Sequence, residues 1–294
     1  MLDFKELSYD FKDTYNQYYI QTPVHYAEYS FLILWAWRKA YPIQIATSEE
    51  NLCWLKSGGP LPGIFGPVGN WNAVKDWDTV LQNFKSGDLV YDVPEQVKNL
   101  LEGRNNLRFT EDRDQHEYVY AVKDLVGLKG KIFAHKRNRV RAFLDSYEWD
   151  YYEMTPDYFD EVMDFQERWR LHRDETMNEE EVASLYDEDI AIRDVLDKWN
   201  EFNLMGGILK VDEKIIAYTI AAELDEDNLD VMFEKAFPEY AGSYQAINYM
   251  FLKNQGAKYE FANREEDMGE PGLREAKMSY NPTMMLKKFI MEIL

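Results

Sequence analysis

Residues 207–262 constrain the fold most. The stretches 207–211, 215–222 and 229–236 are apolar, β-rich runs separated by the polar turns Asp212-Glu213-Lys214 and 223–228. Runs of this length with such turns predict an antiparallel meander. A loop over 237–242 follows, then Ser243 as a candidate N-cap. The next helix should bury Ile247, Met250 and Phe251 and stop at Gly256. Residues 258–262 return to a strand pattern. A helix that starts where a strand ends offers unpaired N–H groups and a positive dipole end, a place for an anion. The loop carries a single glycine, Gly242, so an ordinary connection is the competing reading.

The remaining elements alternate between helix and strand signals. The first ~40 residues are aromatic-rich and helical in pattern, and Tyr41-Pro42 should end that helix. Residues 43–47 and 52–55 predict a hairpin. Residues 70–84 show helical spacing up to Gly87, 89–93 a strand, and 94–101 a short helix with proline in its first turn. Residues 108–122 are again β-rich. Thr155-Pro156 should open a helix with Tyr158, Val162, Phe165 and Trp169 on one face. A second helix is expected over 187–202, with the acidic stretch 174–189 as a solvated connection. The order of elements in the second half is that of GNAT-type acyltransferase domains.

Charge divides the chain. The net charge is −21, carried by 54 acidic and 33 basic residues. Residues 1–145 are close to neutral at −1, whereas residues 146–294 carry −20. At 294 residues the length suits two domains. The expectation is therefore an α+β chain of two domains, 1–147 and 148–294. Each would be a mixed, largely antiparallel sheet flanked by helices. A general nucleic-acid coat, DNA included, or an anionic membrane is a poor partner for such an acidic surface. One segment departs from it. Lys129, Lys131, Lys136, Arg137, Arg139 and Arg141 fall within 127–141 with no acid among them.

Other classes are disfavoured. Cys53 is the single cysteine, so there is no disulfide framework and no cysteine metal site. His25, His116, His135 and His172 lack metal-ligand spacing, and no other metal motif is present. The chain has no P-loop, no GxGxxG after a strand and no GxSxG elbow. The start of the sequence does not resemble a signal peptide. The longest apolar run, Phe31–Trp37, is far short of the ~20 residues that span a bilayer. A cytoplasmic protein without an integral membrane segment is expected; the oligomeric state stays open.

Three strings sharpen the reading: KIFAHKRNRVRAF at 131–143, FEKAFPEYAGSYQAIN at 233–248, and NREEDMGEPGLREAKMSY at 263–280, closed by Pro282. Together they resemble the bacterial domain family related to the C-terminal domain of lysyl-phosphatidylglycerol synthase, whose members look like two GNAT-type domains in tandem. The resemblance implies acyl or aminoacyl transfer, with an aminoacyl-tRNA or an acyl-CoA as possible co-substrate and no tightly bound cofactor.

Candidate residues follow from these strings. Glu234 and Lys235 end the third meander strand on opposite faces, and Glu234 could take a proton from an attacking amine or form a strand-end salt bridge. Tyr244 and Asn248 share a helix face beside Gln245, able to orient a substrate or cap the helix. Asn263, Arg264, Glu265 and Asp267 follow a strand, with Arg274, Lys277 and Tyr280 close behind. They could read an aminoacyl group or form a buried ion network. Lys131, Lys136, Arg137 and Arg141 could meet a phosphate, lie on a solvated helix face, or pair with the acidic second half. Glu234, Tyr244 and Asp267 are the catalytic candidates; the others are candidates for substrate or anion binding. Direct attack on an ester or thioester needs no covalent intermediate, consistent with the isolated Cys53. The competing functions are a non-catalytic metabolite- or partner-binding protein on the same fold and, less compatible with the acidic surface, a membrane-attached lipid aminoacylase.

Overall fold

The computed structural model describes residues 2–59, 62–174 and 179–294. In chain order the elements are β1 (Lys5–Glu6), α1 (Lys12–Tyr19), α2 (Phe31–Trp37), β2 (Ile43–Ser48), β3 (Leu52–Ser57), β4 (Gly63–Val68), α3 (Trp77–Leu81) and β5 (Leu89–Pro94). Then come α4 (Glu95–Leu101), β6 (Leu107–Glu111), β7 (Glu117–Ala121), α5 (Val122–Gly127), α6 (Ala134–Ser146), β8 (Trp149–Glu153), α7 (Phe159–Asp174) and α8 (Glu179–Leu196). The chain continues with β9 (Met205–Val211), β10 (Lys214–Glu223), β11 (Asn228–Ala236), α9 (Ser243–Asn254), β12 (Phe261–Asn263), α10 (Pro271–Met278), β13 (Met284–Leu286) and β14 (Lys288–Ile293). The fold is α+β: two seven-stranded mixed sheets flanked by helices, as expected.

The chain divides into two compact units, but not at Tyr147/Glu148. Unit 1 holds Met1–Glu117, Glu266–Arg274 and Met285–Leu294; unit 2 holds Tyr118–Glu265 and Glu275–Met284. The expected boundary falls inside unit 2 because strand pairing over long sequence distances decides membership. β14, the last strand, pairs antiparallel with both β5 and β6, while β7 pairs with β12.

Unit 1 is built on the sheet β1-β2-β3-β4-β5-β14-β6. The expected hairpin is present, with Ser48 opposite Leu52. The helix expected over 70–84 is only a single turn at Trp71–Ala73 and the short α3. Val74 is extended, and Asp76 restarts the helix by accepting from the N–H groups of Asp78 and Thr79.

Unit 2 follows the sheet order β13-β7-β12-β11-β10-β9-β8. β9, β10 and β11 form the expected meander. Both expected helices of this half are present, but the second starts earlier and ends earlier, at Leu196. Of the stretch expected as a connection, residues 179–189 are helical and 175–178 lie outside the described residues. Ser243 is not the N-cap of α9. Gly242 takes that position, and the Ser243 hydroxyl donates to the Phe237 carbonyl.

Among the described residues no helix is long and apolar enough to cross a membrane.

Candidate functional site

The geometry that matters in unit 2 is a fork between two parallel strands. β11 pairs with β12 only from Asn228–Asp230 against Phe261–Asn263. Beyond Asp230, β11 runs on to Ala236 against β10 alone, while the chain after Asn263 turns toward β7, with Arg264 N–H donating to the Tyr118 carbonyl at 2.9 Å. The turn is built locally: buried Asn263 accepts from the Glu265 N–H at 2.9 Å, and Glu265 takes the left-handed φ of 56°. Arg264 is thereby projected from one arm of the fork toward Glu234 on the other.

Arg264 Nη2 donates to Glu234 Oε1 at 2.8 Å. Asn248 on α9 is fully buried and donates from Nδ2 to Glu234 Oε2 at 2.9 Å. Both carboxylate oxygens are thus engaged. The guanidinium carbon lies 4.9 Å from the Tyr280 ring centroid and 5.8 Å from that of Tyr120. Burial works against the Arg264 charge, but Glu234 and the two phenols more than offset it, so the group stays cationic. Its Nη1 is buried with no partner in hydrogen-bonding geometry. Thr219, paired with Glu234 across β10 and β11, is also fully buried with its hydroxyl unpartnered.

Two further side chains complete the cluster. Tyr280 hydrogen-bonds to Gln245 and to Arg264, and burial raises its phenol above the ordinary value, so it stays neutral. Lys136 comes from the basic segment, yet it is only 6% exposed. Its Nζ lies 3.9 Å from the Tyr280 ring centroid. Burial, and next the Arg264 cation, push its pKa down to about 8. The reason it faces inward is its spacing: Phe133, Lys136, Val140 and Phe143 are all buried on one stripe of α6, while Lys131, His135, Asn138, Arg139 and Arg141 are exposed.

The other candidates have different surroundings. Arg137 donates from Nη1 to the carbonyls of Leu128 and, at 3.1 Å, Gly130, which fixes the loop before α6. Lys277 donates to the Arg264 carbonyl at 2.6 Å, and the Tyr120 hydroxyl to the Lys277 carbonyl at 2.8 Å, so Lys277 holds the backbone that carries Arg264. Tyr244 packs its half-buried ring against the core around Phe143 and Ile247. Lys235 points to the opposite sheet face from Glu234, as alternation requires, pairing with Glu188 at 2.7 Å. Asp267 and Arg274 belong to unit 1. There the fully buried Asp267 carboxylate accepts from Arg274 Nε at 2.9 Å and Nη2 at 2.6 Å, from Arg113 at 3.2 Å and from the Gly269 N–H at 3.0 Å. That is an ion network, and it leaves the carboxylate little capacity as a base.

Sequence reasoning missed a second buried cluster, in unit 1. Lys288 on β14 is fully buried and paired with Glu28 and, at 3.1 Å, Glu117. Asp92, at a left-handed φ of 53°, hydrogen-bonds to Glu28. Nothing in the local pattern marked these residues. Among the described residues no group of three His, Cys, Asp or Glu side chains is placed to hold a metal ion.

The loop before α9 is closed on itself. Tyr240 N–H donates to the Phe237 carbonyl, Ala241 N–H to the Tyr147 hydroxyl and Ser243 N–H to the Tyr240 carbonyl. A Cβ at Gly242, whose φ is +89°, would stand 2.3 Å from the Arg139 carbonyl oxygen, so α6 lies directly against the loop.

Residues 21–292 match the family described as "Phosphatidylglycerol lysyltransferase, C-terminal", and the chain belongs to that family. A solved conserved protein of unknown function from Bacteroides thetaiotaomicron is 29% identical over the whole of both chains, with a TM-score of 0.85. The structure of L-PGS from Bacillus licheniformis matches at 13% identity and a TM-score of 0.61, covering 98% of this chain and 93% of its own; that likeness is one of fold. An uncharacterized protein of Mycoplasmoides gallisepticum, MYCGA3080, is 23% identical over 180 residues. That match spans 60% of this chain and 56% of the relative.

Proposed function

We propose that this chain is an aminoacyltransferase. Its unit 2 would move an aminoacyl group from the terminal ester of an aminoacyl-tRNA to an amine or hydroxyl acceptor by direct attack. The observation that carries the proposal is the Arg264 guanidinium: Nη2 is fixed by Glu234 and the group also meets the Tyr280 hydroxyl, while Nη1 is buried with no partner in hydrogen-bonding geometry among the described residues. A preorganised donor in a water-poor site is what the oxyanion of a tetrahedral acyl intermediate requires. Glu234 and Asn248 hold the donor in place.

The donor ester is favoured over acyl-CoA by the loop before α9. A diphosphate would need backbone N–H groups there. Those of Tyr240, Ala241 and Ser243 are already engaged, and Gly242 is pressed against Arg139. The exposed cations around α6, Lys131 just before it and Arg139 and Arg141 on it, offer charge to an RNA backbone within an otherwise acidic unit.

The test is transfer from tRNA charged with radiolabelled amino acids to a panel of amines and alcohols, beside the same panel with acyl-CoA thioesters. Turnover of the charged tRNA is expected. The Arg264→Gln variant should lower kcat by roughly 100- to 1000-fold. Turnover of the thioesters alone, or of neither donor, overturns the proposal.

A further inference from the structure

We infer that Lys136 is the proton acceptor for the attacking group in unit 2. The inference rests on the transferase reading above and adds a role to it. Direct attack requires that the acceptor nitrogen or oxygen lose a proton as its bond to the acyl carbon forms. The titratable side chains at the fork are Glu234, Arg264, Tyr280, Tyr120 and Lys136. Glu234 has one oxygen taken by Arg264 and the other by Asn248. Arg264 is held cationic. Tyr280 and Tyr120 are held as neutral phenols by burial, and the Tyr120 hydroxyl donates to the Lys277 carbonyl. Lys136 remains. Among the described residues its Nζ is bonded to no carboxylate, and it lies against the Tyr280 ring at 3.9 Å.

The charges facing Lys136 act in one net direction. Arg264 and Arg139 oppose its protonation, Glu234 favours it, and burial adds to the first pair. With a value of about 8, roughly a tenth of the group is free amine at pH 7 and about half at pH 8. An exposed lysine would hold less than about one part in a thousand as the free amine at pH 7.

The step balances. The acceptor lone pair forms a bond to the ester carbonyl carbon, and the acceptor proton passes to the Lys136 lone pair. As the carbon–oxygen ester bond breaks, the leaving ribose oxygen takes a proton from the resulting ammonium. Lys136 returns to the free amine, and no further reagent is consumed.

Three substitutions in the full chain test this. Lys136→Arg keeps a cation and Lys136→Met keeps the volume; neither supplies a base near pH 8. Both should lower kcat by roughly 100-fold with the donor KM within about twofold of wild type. The wild-type profile of kcat against pH should rise with a midpoint near 8 and lose that limb in both variants. Ethylamine should restore rate to Lys136→Ala in proportion to its free-base concentration. Full kcat in Lys136→Arg with an altered KM would overturn the inference in favour of anion binding. Independently of activity, NMR of the 13C-dimethylated protein should show one lysine titrating near 8 and absent from Lys136→Arg. Titration of that lysine at an ordinary value sinks the inference even if transfer is found. Titration near 8 with no turnover of any charged tRNA sinks the transferase reading.

Discussion

Arg264 Nη2 lies 2.8 Å from Glu234 Oε1, and this one ion pair spans the two arms where β11 and β12 part company. Glu234 is 8% exposed and Arg264 14% by side chain, so the pair is largely desolvated. Removing one member strands the other. Glu234→Ala should destabilise unit 2 by about 3–5 kcal/mol in chemical denaturation, because a buried cation loses its counter-charge. Glu234→Gln keeps an acceptor for Arg264 and should cost less. Equal losses in the two variants would mean that packing, and not charge, is what Glu234 supplies.

Gly242 should be intolerant of any side chain. Its φ of +89° is one that L-residues rarely adopt, and an added Cβ would stand 2.3 Å from the Arg139 carbonyl oxygen. Neither α6 nor the loop can yield without disturbing Phe143, which is fully buried directly below. Gly242→Ala should cost at least about 1–3 kcal/mol, measured as a lowered denaturation midpoint. A midpoint equal to wild type would show that the contact between α6 and the loop relaxes.

These two sites show what was legible in the chain. The meander and α9 came from periodicity and turn chemistry, which are local. The residues of the fork were named, but their partners were not: the contact of Glu234 with Arg264 depends on how two strands diverge, and no local pattern encodes that. Lys136 was read with its charged neighbours. The stripe Phe133, Lys136, Val140, Phe143 was available in the sequence and separates the one inward cation from the outward ones. The unit boundary was misplaced because charge changes near residue 145, whereas β7 and β14 choose their sheets by pairing with strands far away in sequence. Lys288 and its carboxylates escaped for the same reason.

That buried cluster gives unit 1 a pH dependence. Burial, first of all, raises the carboxyl values of Glu28 and Asp92, and the two groups share a hydrogen bond that needs a proton on one of them. Groups whose folded values are raised stabilise the fold fully below their unfolded values, 4.5 for Glu28 and 3.8 for Asp92. That contribution is lost as pH rises through the folded values. Lys288 is raised as well, so its contribution holds through neutrality and is lost only in strong alkali. Glu28→Gln removes one titrating member while Glu117 still pairs with Lys288. Relative to wild type, the variant should gain stability as pH rises above the ordinary carboxylate range, read by denaturant unfolding with hydrogen exchange in β5 and β14 as the local probe. A difference that stays constant with pH would show that the two carboxyls titrate normally.

Asp267 should prove structural. Its two oxygens accept four hydrogen bonds, two from Arg274, one from Arg113 and one from the Gly269 N–H. A carboxylate so committed has no lone pair positioned for an incoming proton, and it is fully buried. Asp267→Asn keeps the shape and one acceptor oxygen but replaces the other with an amide donor facing Arg113 or Arg274. The loss in stability should be about 1–3 kcal/mol. Below its unfolding transition the variant should keep kcat within about threefold of wild type, with an unshifted pH profile, whereas removing a general base typically costs about 100-fold or more. Measuring kcat across pH on protein verified as folded by circular dichroism separates the two roles. A folded Asp267→Asn protein with a hundredfold lower kcat would return Asp267 to the catalytic set.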